Sequence, residues 1–133
     1  MKTTLVSRVV IVISALYLLL FSAHALFLQK TIYGDGIFYY SWVRSIVIDH
    51  DINFANEYSR FGVTAPGNKH PIGAPLFWLP WYAQAHTIIG ETGYELPYQL
   101  LVGSISVLAA LSGLILLFRL LTQSFSTTAS VLA

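Results

Sequence analysis

Whatever acid–base or metal chemistry this chain performs rests on six acidic residues, all of them between positions 35 and 95. Asp35 lies inside the turn signal Gly34-Asp35-Gly36 and just before an aromatic-rich stretch with helical spacing, residues 37–48. A carboxylate there stands at a helix N-terminus, where the backbone dipole favours its ionised form. It can serve as a cap or as a functional acid. Asp49, Asp51 and Glu57 crowd into nine positions, and Asp49-x-Asp51-x-Asn53 copies the opening ligands of a calcium loop. The copy then fails, with Phe54 where Gly is required and Arg60 where Glu is required, which excludes an EF-hand. A looser oxygen-ligand site for a divalent cation and a solvated acidic loop both fit these three acids, the loop with fewer assumptions. His50, His70 and His86 lack metal-ligand spacing, so no metal set is expected, and His24 and His86 read as structural residues in apolar surroundings. The chain has no cysteine, which excludes thiol catalysis, disulfides and Cys-ligated zinc. No Walker loop, GxGxxG, HExxH or GxSxG motif occurs.

The elements that must position these residues are membrane elements. Of 133 residues, 56% are hydrophobic and 10% charged, against about 25% charged in a soluble domain, and the mean hydropathy is +0.67. With seven Lys and Arg spread along the chain and a net charge of +1, there is no basic face for nucleic acid. Residues 9–28 and 96–118 are free of charge, and roughly 20 apolar residues cross a bilayer core as a helix. The fold expected is therefore all-α and integral to the membrane, with a span at 9–28, a loop at 29–95 and a span at 96–118. Small residues in the second span, Gly103, Ser104, Ser106, Ser112 and Gly113, suit close packing against neighbouring helices. The sequence after Arg119 ends in a segment, 127–133, that reads as the start of a third span and makes the chain an N-terminal part of a larger polytopic protein.

Charge sets the orientation. Lys2, Arg8 and Arg119 flank the spans, whereas the intervening segment holds six acids and four bases. The positive-inside rule puts the ends in the cytoplasm and the loop outside, in the plasma or inner membrane of a bacterium. A second reading of the first span is a signal sequence, with a basic start, an apolar middle and Ala23-His24-Ala25 as cleavage site. It leaves the loop outside as well. Within the loop, residues 37–48 and 74–89 read as two interfacial helices. The first is aromatic with a narrow polar stripe of Ser41, Arg44 and Ser45. The second carries Trp78, Trp81 and Tyr82 and is interrupted by Pro80.

Three stretches of the loop resemble the GT-C glycosyltransferases, specifically the family 39-like and mannosyltransferase-like integral membrane proteins. They are Asp35-Gly36-x-x-Tyr39-Tyr40-x-x-x-Arg44-Ser45, Asp49-x-Asp51-x-x-Phe54-x-Asn56-Glu57-Tyr58, and Lys69-His70-Pro71-Ile72-Gly73 followed by Leu79-Pro80. The resemblance covers roughly residues 10–125. It implies a polytopic enzyme with further spans, a polyprenyl-phosphate-linked sugar donor, and transfer to a lipid, glycan or protein on the extracytoplasmic side. It implies that Asp35 is the catalytic acid, either as general base or in orienting the acceptor. Many members pair two acids at this motif, whereas here Gly36 follows Asp35. Such a reaction needs cations near the departing phosphate, and Arg44, Arg60, Lys69 and His70 are the substrate-binding candidates. Asp49, Asp51 and Glu57 are the secondary acids. No cofactor is expected; a divalent cation is the one addition the acids leave open. The expected partners are membrane lipids, the lipid-linked donor and the remaining spans. The rival functions are a non-catalytic two-span scaffold or subunit, and part of a polysaccharide polymerase or transporter.

Overall fold

The computed structural model describes residues 2–126 and Ser130, with side chains from Arg8 onward except Val9. It is 75% helix, and no strand occurs among the described residues. Among the described residues five α-helices follow in order: α1 (Lys2–Leu28), α2 (Asp35–Arg44), α3 (Ala55–Phe61), α4 (Gly73–Ile89) and α5 (Leu96–Ser124). A π-turn, Ser45–Asp49, prolongs α2. The expected third-span start at 127–133 lies outside the described residues except for Ser130, whose N–H and hydroxyl both donate to the Ser126 carbonyl.

Two helices, over Val10–Leu28 and Leu96–Ser124, are long and apolar enough to cross a membrane. Only 6% and 11% of these stretches are buried by the described residues. Their Leu, Ile and Val side chains, Ile11, Leu16, Leu19, Leu114 and Leu120 among them, are exposed. The α5 helix continues past Arg119 to Ser124. A single charge marks the edge of an apolar run but does not stop a helix, since Arg is a good helix former.

The chain divides into two compact units. One comprises the outer arms of α1 and α5, up to Phe21 and from Ser104; the other is Ser22–Gly103. In the second unit, α2 packs on α3 and α4 around a core of Ile32, Ile37, Tyr40, Val43, Tyr82, Tyr98 and Val102. The polar stripe of α2 is turned inward: Ser41, Arg44 and Ser45 are all buried. Ser41 returns its hydroxyl to the Ile37 carbonyl at 2.7 Å, Ser45 donates to Asp51 and the Asn53 carbonyl, and Arg44 bonds Asp49, Glu57 and the Thr92 carbonyl. The α4 helix runs through Pro80, which leaves the Leu76 carbonyl without its usual helical donor.

Candidate functional site

Two ionic groupings emerge in the Ser22–Gly103 unit. The first is enclosed. Arg44, at the last turn of α2, is 6% exposed and donates from Nη1 to Asp49 Oδ2 and to Glu57 Oε1, each at 2.6 Å. Its Nε donates to the Thr92 carbonyl at 2.9 Å, and its guanidinium lies 4.1 Å from the centre of the Tyr94 ring. The π-turn explains the first pairing: widening the last turn carries Asp49 back toward Arg44, and Asn56 Nδ2 holds the same Asp49 oxygen at 3.2 Å. Glu57, on α3, is fully buried, and its Oε2 has no partner. One guanidinium thus serves two carboxylates. Burial pushes the Glu57 carboxyl above its ordinary range and outweighs the opposing pull of Arg44. Burial, with the charge of Glu57 behind it, pushes the Tyr94 phenol up to about 12.

A backbone lock supports this cluster. Gly93 takes φ +85°, and its carbonyl accepts hydrogen bonds from Tyr40 at 2.5 Å and Tyr82 at 2.9 Å. A Cβ at Gly93 would collide with Ile48 and with the Tyr82 hydroxyl, so only glycine fits. Burial drives both phenols well above their usual range, and they remain neutral donors. Glu95 fixes the same turn by accepting from Gly93 N–H at 2.9 Å and Thr92 Oγ1 at 2.6 Å. Burial raises its carboxyl, but these hydrogen bonds win and hold it below its usual range.

The second grouping is open. Gly34, at φ +50°, takes the N-cap position of α2, so Asp35 is the first helical residue and not the cap. The Asp35 side chain is 82% exposed, and His70 Nε2 approaches its Oδ1 at 3.6 Å. His70 is brought there by a clamp. Asn68 Nδ2 donates to the Phe38 carbonyl at 2.7 Å, Asn68 Oδ1 accepts the His70 N–H at 3.1 Å, and Trp42 Nε1 donates to the His70 carbonyl at 3.1 Å. The imidazole stacks on Phe38, with centroids 4.5 Å apart and planes 12° off parallel, and meets the edge of Tyr39. His70 Nδ1 is buried without a partner. An orphaned N–H is rarer than an orphaned acceptor, so we assign the ring proton to Nε2, facing Asp35.

The residues singled out in the sequence therefore fall into distinct places. Asp35 meets His70. Arg44, expected near a departing phosphate, lies inside and is held by Asp49 and Glu57. These two acids, with Arg44, form an internal network where the sequence suggested a solvated loop. Asp51 accepts from the Asn53 N–H at 3.0 Å and the Ser45 hydroxyl at 2.7 Å, and these bonds, the backbone one first, hold its carboxyl low. Lys69 and Arg60 are exposed, and Arg60 lies 5.7 Å from the Tyr94 ring centre. Asn68, Gly93 and Tyr94 were not expected to matter. The only sequence signal for them is the turn-forming composition of 67–73 and 90–93. Among the described residues no three His, Asp or Glu side chains converge as metal ligands would. No family model matches the chain, and no curated protein or solved structure matches it either.

Proposed function

We propose that this chain is the N-terminal part of a membrane glycosyltransferase that uses a polyprenyl-phosphate sugar donor on the extracytoplasmic side, with Asp35 as the base. The observation that carries this reading is the setting of Asp35: an exposed carboxylate, free of any cap role, with the His70 imidazole clamped 3.6 Å away. An acceptor hydroxyl can approach such a carboxylate and give up its proton as the glycosidic bond forms. The clamp at Asn68 and Trp42 holds the His70 imidazole beside Asp35. Lys69, next to His70 and exposed, is the cation suited to the departing phosphate. Asp35 comes only seven positions after the end of α1 at Leu28, which keeps the base within reach of a lipid-linked donor. The helices α2 and α4 are then read as elements at the outer face of the bilayer, with exposed Phe77 and Trp81 as interfacial anchors.

The test uses membranes carrying the full-length protein and radiolabelled polyprenyl-phosphate hexoses. Wild type transfers the label, and Asp35→Asn, which keeps shape, loses about 10²–10⁴-fold in rate at unchanged expression. Near-normal transfer by Asp35→Asn removes Asp35 as the base. Because residues 1–133 contain no cysteine, orientation can be read separately on this segment. Thr64→Cys should react with an impermeant thiol reagent in intact cells, and Thr4→Cys should not. The reverse pattern overturns an extracytoplasmic site.

A further inference from the structure

The outer arms of α1 and α5 enclose a groove of about 430 Å³. Its α5 wall is a single helical stripe of Leu111, Leu114, Ile115 and Phe118, and among the described residues its polar lining is Ser14 on α1 and Arg119 on α5. We propose that this groove seats one acyl chain of an anionic phospholipid, with the Arg119 guanidinium on the lipid phosphate.

Three observations carry the assignment. The walls are apolar and belong to the two helices long enough to cross a membrane. In hydrocarbon no water fills such a gap, and the bilayer itself supplies acyl chains. Arg119 makes no ion pair among the described residues, and a cation at the edge of hydrocarbon is costly until it meets an anion or reaches the surface. The charged residues among 1–21 and 104–133 are Lys2, Arg8 and Arg119, all of them cations. The local field therefore selects a lipid with net negative charge over a zwitterionic one. An apolar helix laid on the walls would bring no anion to Arg119, whereas an anionic phospholipid brings both an acyl chain and the charge.

The experiment places the full chain in nanodiscs of equal parts phosphatidylglycerol and phosphatidylcholine and reads retained lipid by native mass spectrometry after extraction. Phosphatidylglycerol should be retained in preference. Arg119→Gln should lower the phosphatidylglycerol-to-phosphatidylcholine ratio about fivefold, the effect of one basic residue near an anionic surface. Leu114→Trp, which fills the groove, should reduce retention of both lipids without altering the ratio. A phosphatidylglycerol with a diazirine in its acyl chain should label residues 111–118 of the unmodified chain, a reading that stands even if Leu114→Trp misfolds. An unchanged ratio in Arg119→Gln removes the phosphate contact. Full retention in a folded Leu114→Trp, or crosslinks from position 114 to a second copy in place of lipid, overturns the groove as a lipid site.

Discussion

The Arg44 network and the Asp35–His70 pair are built from the same chemistry and treated in opposite ways. Arg44 and Glu57 are buried, Asp49 is half-buried beside them, and each has at least one charged partner at 2.6 Å. The Asp35 side chain is open to solvent, makes no hydrogen bond among the described residues, and has His70 at 3.6 Å. A charge inside protein must be satisfied by protein, so it holds elements together and is closed to ligands. A charge left outside with spare acceptor capacity contributes little to the fold and is free for a reactant. The resemblance alone set Asp35 apart from Asp49 and Glu57 in the sequence; in the structure burial separates them.

The largest expected effect breaks the enclosed network. Arg44→Leu strands two acids in or near the core, and removing one partner of a buried pair costs about 3–5 kcal/mol. Asp35→Ala, by contrast, should stay within about 0.5 kcal/mol, as surface changes do. Thermal unfolding of the purified protein in detergent checks both. Equal losses for the two variants would erase the distinction between the sites.

Gly93→Ala comes next. The added methyl meets Ile48 and the Tyr82 hydroxyl, and overpacking of this kind costs about 1–3 kcal/mol. The left-handed backbone at φ +85° adds about 1 kcal/mol for a residue with a Cβ. The variant should also free the Tyr40 and Tyr82 hydroxyls from the Gly93 carbonyl, detectable as faster hydrogen exchange across residues 90–95. Unchanged exchange and melting temperature would mean that the lock does not hold the Arg44 network.

What could be read in the sequence followed from how local each signal is. The two apolar helices announce themselves in uninterrupted runs, and the all-α architecture follows from them. Residues 74–89 were expected as helix and form α4 at 73–89, because aromatic and aliphatic spacing survives even Pro80. The short α3 was not expected. Seven residues are too few for a periodic pattern, and its Glu57 looks like part of an acidic loop until a distant arginine covers it. The polar stripe of α2 was visible, but not that it faces inward, because its partners are a widened turn and the 92–94 loop. Asp35 and His70 were both named as site residues. Their meeting across 35 positions depends on the Asn68 and Trp42 clamp, which no spacing rule encodes.

The smallest effect sharpens the comparison through pH. Burial raises the Glu57 carboxyl above its ordinary value of 4.5 more than Arg44 lowers it. The folded chain therefore binds that proton more readily than the unfolded chain does. The Glu57 contribution to stability is fully present below the ordinary value and is lost as pH rises through the raised one. Glu57→Gln keeps the side-chain shape and an oxygen for Arg44 but cannot ionise, so it lacks this loss. Its melting temperature should match wild type at acid pH and move above it as pH approaches neutrality. Asp51 and Glu95, held low in the fold, lose stability on the acid side in both proteins and cancel in the difference. A difference of the opposite sign, with wild type gaining on Glu57→Gln toward neutrality, would mean that the pairing with Arg44 outweighs burial. The enclosed network would then draw net stability from its charges, and enclosure alone would no longer explain why Glu57 and Asp35 differ.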